Sequence, residues 1–138
     1  MKRLVLLAIA SVFILVQYAL ADNICDHAMQ FVPISVATAA TTQLVAPVTN
    51  QRIVVCGYDF TIAGTSPTYE FEYGTGSTCG TGTTAMTGTY APTSGTQTHF
   101  GGGDSPIMAT ASGQGLCLVN GGTGSPAVDG VLDYVIIQ

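Results

Sequence analysis

Between Arg52 and Ile62 the chain runs through Ile53, Val54, Val55, Tyr58, Phe60, Thr61 and Ile62. These are β-branched and aromatic residues that suit a pleated, half-buried surface. At a period of two, Val54, Cys56, Tyr58, Phe60 and Ile62 share one face, the predicted core face, and Ile53, Val55, Gly57, Asp59 and Thr61 share the other. The turn formers Ala63-Gly64-Thr65-Ser66-Pro67 end the run. Thr68 to Tyr73 then alternates, with Tyr69, Phe71 and Tyr73 against Thr68, Glu70 and Glu72. One dry face and one wet face is the habit of an antiparallel sheet. Arg52–Ala63 and Thr68–Tyr73 are therefore expected to pair as a meander.

The remaining pattern is of short strands. Ile34–Val48 is apolar, Thr-rich and uncharged, bracketed by Pro33 and Pro47. Weaker strands are expected over Thr83–Tyr90, Thr96–Phe100 and Pro106–Thr110, and stronger ones over Gly115–Asn120 and Ala127–Ile137. About eight short strands separated by turn signals, with no credible helix, predict an all-β antiparallel sandwich of jelly-roll or immunoglobulin-like order. The chain has no tryptophan, the residue that typifies true immunoglobulin domains. The glycine-threonine-glycine triplets at Gly74, Gly80 and Gly122 are unevenly spaced and give no solenoid period.

Upstream of this pattern, Lys2 and Arg3 precede an unbroken apolar run from Leu4 to Val16, and Ala19-Leu20-Ala21 follows. That is the layout of a secretory signal peptide over residues 1–21, leaving residues 22–138 as a single sandwich domain that is secreted, extracellular or periplasmic. Loss of Lys2 and Arg3 takes the net charge from −5 to −7 and leaves Arg52 as the only Lys or Arg, against eight acids. Nucleic-acid binding needs cations to neutralise phosphates, and attraction to anionic membranes needs them too, so neither partner is expected.

All four cysteines, Cys25, Cys56, Cys79 and Cys117, lie beyond the expected cleavage site. In an exported small domain an even count reads as two disulfides. Their wide spacing is unlike a zinc site, and no other metal or cofactor pattern is present. Three connectivities are open. The strand contexts VVCGY and LCLV favour Cys56–Cys117 as a bridge across the core, with Cys25–Cys79 tying the N-terminal segment to the glycine-rich loop.

The run YGTGSTCGTGTTAMTG, with VVCGYDF before it and GLCLVNG after it, resembles small secreted four-cysteine all-β proteins of unknown function encoded in bacterial and phage genomes. The resemblance covers most of the chain after residue 21. It implies a bacterial or phage origin and a structural role, and it supplies no catalytic residues.

Catalytic chemistry has little to work with. His27 and His99 are the only histidines, and no G-x-S-x-G elbow accompanies them. His99, close to Gly101–Gly103 and Asp104, reads as an exposed loop residue, and Glu70 with Glu72 as a solvated strand face. Tyr58, Tyr69 and Tyr73 fall on expected core faces, which leaves Tyr90 and Phe100, with His99, as a candidate ligand surface for a glycan.

Nineteen threonines recur along the chain, and uncharged Thr-rich strands lose less on desolvation than charged ones. Ile34–Val48, with Val36 and Leu44, and the terminal strand, with Val131, Tyr134 and Ile136, are accordingly expected to be assembly edges open to strand addition. Function is therefore expected to be structural and non-enzymatic. The partner would be a second copy or a protein of a surface filament, coat or phage particle, with a carbohydrate-binding or adhesin module as the alternative.

Overall fold

A computed structural model describes residues 24–26 and 29–138. The expected signal peptide and His27 lie outside these residues. A 3-10 turn, Ile24–Asp26, precedes β1 (Gln30–Val36), β2 (Ala40–Val45), β3 (Arg52–Ala63), β4 (Thr68–Thr75), β5 (Thr81–Ala85), β6 (Gln97–Gly101), β7 (Met108–Ala109), β8 (Gly115–Gly121) and β9 (Ala127–Ile137). The strands form two antiparallel sheets that face each other as a sandwich. One has the order β1-β9-β3-β6, with the short β7 also on β3, and the other has the order β2-β8-β4-β5.

That order has a simple origin. Setting β7 aside, the first strand pairs with the last, the second with the next to last, and so on inward, as in a long hairpin rolled up on itself. β9–β3 and β8–β4 contacts close the roll. This is the jelly roll, which decides between the two orders left open by sequence.

β3 and β4 are not a meander. β3 pairs with β6, β7 and β9, and β4 with β5 and β8. The Gly64–Pro67 turn carries the chain from one sheet to the other, so Tyr58 and Phe60 meet Tyr69 and Phe71 across the core rather than along a ladder. The rings of Phe60 and Tyr69 stand edge to face at 4.9 Å, and those of Tyr58 and Phe71 are 5.1 Å apart. Ile62, Leu116, Leu118, Val128 and Leu132 complete the buried centre.

The expected core face of β3 is correct only for its second half. Val55 pairs with Tyr134 and Gly57 with Asp133, so Cys56 is an extra residue with no partner on β9. A β-bulge of this kind reverses the inward–outward phase of everything before it. Ile53 and Val55 therefore join the main core, while Val54 and Cys56 turn outward to a second small cluster with Cys25 and Val135. Gly101 of β6 approaches this bulge closely. Its φ is +88°, and a Cβ there would collide with the Cys56 carbonyl oxygen, so only glycine suits the position.

The bulge also corrects the cysteine pairing. Cys56 bonds Cys25, and Cys79 bonds Cys117. Neither bridge crosses the core. Cys25–Cys56 pins the N-terminal turn onto the outside of one sheet. Cys117 lies between the inward-facing Leu116 and Leu118, so it points outward and anchors the Gly74–Gly80 loop to β8 on the outside of the other.

Ile34–Val48 is two strands, not one. The chain bends at Ala37–Ala39 and passes from the edge of the first sheet to the edge of the second. Asn120, buried at the end of β8, holds this corner. Its Nδ2 donates to the carbonyls of Val36 (3.3 Å), Thr38 (3.0 Å) and Pro126 (3.0 Å).

Candidate functional site

The terminal strand β9 is not an edge, since it pairs with β1 on one side and β3 on the other. Val131, Tyr134 and Ile136 therefore belong to an interior strand. Val36 and Leu44 do lie on edge strands, β1 and β2. The Val36 side chain is buried in the core, and Leu44 is half-buried against it.

Among the described residues, the edges are β1 and β6 with β7 in the first sheet, and β2 and β5 in the second. Charge is distributed among the strands in an unusual way. Arg52 and Asp59 lie on β3, Glu70 and Glu72 on β4, and Asp129 and Asp133 on β9, all interior strands. The edge strands β1, β2, β5, β6 and β7 carry no Asp, Glu, Lys or Arg, and His99 on β6 is their one ionisable group. Only β1 carries a proline, Pro33. Soluble sheet proteins commonly guard edges with charge or proline, and four of these five strands have neither.

Between the edges on the β5–β6 side lies a cleft of about 240 Å³ lined by Tyr58, Met86, Thr87, Tyr90, Phe100, Ile107 and Met108. Backbone bonds hold its walls. Tyr90 N–H donates to the Tyr69 carbonyl (2.9 Å) and Tyr69 N–H to that of Tyr90 (3.0 Å), while Ile107 N–H donates to the Val55 carbonyl (2.9 Å). The Tyr90 ring stacks on Tyr69 at 4.9 Å and the Phe100 ring on Tyr58 at 5.9 Å. Each outer ring still exposes about half its surface, 47% for Tyr90 and 57% for Phe100. Burial, with Tyr69 nearby, raises the Tyr58 phenol well above its usual pKa, and burial raises that of Tyr69.

The structure brings Tyr90 and Phe100 together in this cleft and separates His99 from them. His99 points to the outside of the first sheet, where its Nδ1 lies 3.6 Å from Asp59 Oδ2. Its register partner is Asp59, not Asp104. Gln97 Nε2 donates to Asp59 Oδ1 (3.0 Å) and Ser35 Oγ to Asp129 Oδ1 (2.9 Å). Burial raises the Asp133 carboxyl above its usual pKa, and His99 opposes the shift. On the outside of the other sheet, burial and the neighbouring Glu70 raise Glu72. Thr89 Oγ1 donates to Glu70 Oε2 at 2.5 Å. Both outer faces are thus acidic, and the lateral sides are not. Among the described residues no cluster of three His, Cys, Asp or Glu is placed to hold a metal ion, and no helix is long and apolar enough to cross a membrane.

Sequence reasoning missed Met86, Ile107 and Met108, which sit in stretches too short and glycine-broken to show a face. The usable signal was the apolar pair Ile107-Met108 itself, isolated after a polar loop.

The fold and this site define a disulfide-stapled jelly roll with bare edges. No protein-family model matches the chain, and no curated protein does. Solved structures similar to it include chains of infectious bursal disease virus. One, from the T13 viral particle, has a TM-score of 0.43 and 15% identity over 80% of this chain and 31% of that one. Another, from the Gt strain, has a TM-score of 0.39 and 16% identity over 80% and 33%. The chain spans about a third of the length of either.

Proposed function

We propose that the protein is a non-enzymatic structural subunit that builds or decorates an extracellular assembly, such as a surface filament, coat or particle, through its sheet edges. The observation that carries this reading is the confinement of strand charge to the interior strands β3, β4 and β9. Bare N–H and C=O groups on an uncharged edge invite pairing with another chain. The acidic outer faces of two copies repel each other, which leaves edge-to-edge approach as the favoured one. Two disulfides fit an oxidising compartment.

Light scattering after size exclusion tests the reading. The exported protein is expected to give species larger than a monomer that grow with concentration. Ala40→Lys on β2 or Thr84→Lys on β5 is expected to return it to a monomer. A wild-type monomer at millimolar concentration would contradict it. The exposed faces of Tyr90 and Phe100 favour a second reading, a glycan site, which binding to a glycan array that is lost on Tyr90→Ala or Phe100→Ala would support.

A further inference from the structure

Both lateral sides of the sandwich leave core residues half-covered. On the β1–β2 side these are Val32 and Leu44, and on the β5–β6 side Met86, Ile107 and Met108. The second side is concave, since it holds the cleft of about 240 Å³. We infer, resting on the edge-assembly reading above, that copies join head to tail: the β1–β2 side of one copy seats Val32 and Leu44 against the Met86–Tyr90–Phe100–Met108 cleft of the next, forming an open-ended filament.

Strand direction permits this by parity. β1, β9, β3 and β6 are successively antiparallel, so β6 runs opposite to β1. β5 runs opposite to β2 for the same reason. A copy shifted sideways without turning over therefore places its β1 antiparallel to β6 and its β2 antiparallel to β5. Both sheets and the core between them continue across the junction. The cleft, at about 240 Å³, has room for aliphatic side chains, given that an apolar cavity of about 150 Å³ can hold a benzene molecule. Charge favours the same occupant. The strands that meet carry no carboxylate on either side, whereas stacking outer face on outer face brings Asp59, Asp129 and Asp133, or Glu70 and Glu72, against like charge. A two-fold dimer would set cleft against cleft, or Leu44 against Leu44, and leave the complementary sides unused. A repeating contact between two different patches does not close on itself unless its rotation closes a ring.

Mixing of two variants tests this. Leu44→Lys spoils one side and Phe100→Lys the other, and near-ultraviolet circular dichroism with thermal melts establishes that each is folded. Ala40→Lys and Tyr90→Gln, at exposed positions, serve as the milder pair if either is not. Sedimentation velocity is expected to show each variant alone as a monomer, with association weakened at least tenfold. An equimolar mixture is expected to form dimers through the one intact pair of sides and nothing longer. Phe100→Lys assembling like wild type would overturn head-to-tail packing. So would a mixture that stays monomeric while wild type assembles. Phe100→Lys that assembles normally but loses binding to a glycan array would assign the cleft to a sugar and overturn it as well. A wild-type monomer would instead sink the edge-assembly reading itself.

Discussion

Cys56 is the extra residue of the bulge in β3, and its sulfur bonds Cys25, 31 positions upstream. The bulge turns the thiol away from the sandwich core, and the bond then holds the turn Ile24–Asp26 over the place where the ladder is broken. Removing the bridge with the double change Cys25→Ser and Cys56→Ser is expected to lower unfolding free energy by about 2–4 kcal/mol. Urea denaturation measures this. Because Tyr58, Phe60 and Phe71 pack on the opposite face, near-ultraviolet circular dichroism is expected to keep its native aromatic signal. Collapse of that signal in the folded variant would mean that the bridge, not the core, sets the sandwich.

Asn120 is the polar anchor of the corner between β1 and β2. Its single NH₂ group serves three carbonyls, two from the β1–β2 corner and one from the loop before β9. Asn120→Ala leaves those carbonyls without a donor and is expected to cost about 1–3 kcal/mol. Asn120→Asp also sets a buried carboxylate against carbonyl oxygens, which raises its pKa in the folded state. A group whose folded pKa is raised favours folding at low pH and opposes it as pH climbs through that value. The Asp variant should accordingly be the least stable of the three proteins at pH 7 and recover toward wild type near pH 4. Thermal melts at the two pH values check the crossover.

Glu72 and Asp133 are each raised by burial above their ordinary values of 4.5 and 3.8. In the folded protein they give up their charge more readily than in the unfolded chain, so their contribution to stability is fully present below the unfolded pKa values and is lost as pH rises through the folded ones. Melting temperature is expected to rise modestly on acidification from pH 7 toward the unfolded pKa values. Glu72→Gln and Asp133→Asn are expected to be slightly more stable than wild type at pH 7 and no more stable at pH 4. Equal gains at both pH values would remove titration as the cause.

Arg52 is the only Lys or Arg in residues 24–138. It sits at the start of an interior strand with its Nε donating to the Thr110 carbonyl at 3.0 Å. Trypsin is therefore expected to leave the folded domain intact for hours and to cut once, after Arg52, when the disulfides are reduced in denaturant. Mass spectrometry of the digest reads this directly. A rapid native cut at Arg52 would contradict the ladder on both sides of β3.

The sequence announced strands better than neighbours. β3 and β9 appear with the bounds read from their β-branched runs, because each is paired along most of its length with strands on both sides, a setting that suits such residues. The same hydrophobicity misled on position. In sequence Val131, Tyr134 and Ile136 read as an exposed edge, whereas the strand that carries them pairs with a neighbour on each side. The bulge at Cys56 could not be seen, since one unpaired residue changes the phase without changing the composition. The wrong cysteine pairing followed from that, because a period of two carried past Cys56 aims its thiol at the core. Tyr90 and Phe100 fall outside the core faces read from the sequence and stay about half exposed. Their meeting in one cleft depends on β6 lying beside β3 and on Tyr90 bridging Tyr69, and both are contacts between distant segments. The bareness of Ile34–Val48 was plain in the sequence. Its significance appears only once the charges are seen to lie on β3, β4 and β9.

Hydrogen–deuterium exchange of the wild-type protein at low and at high concentration reaches the edges most directly. If copies meet through them, amides of β1, β2, β5 and β6 gain protection as concentration rises, while those of β8 and β9, already paired on both sides, do not change. Edge amides that exchange at the same rate across the whole concentration range would show that these strands meet no other chain.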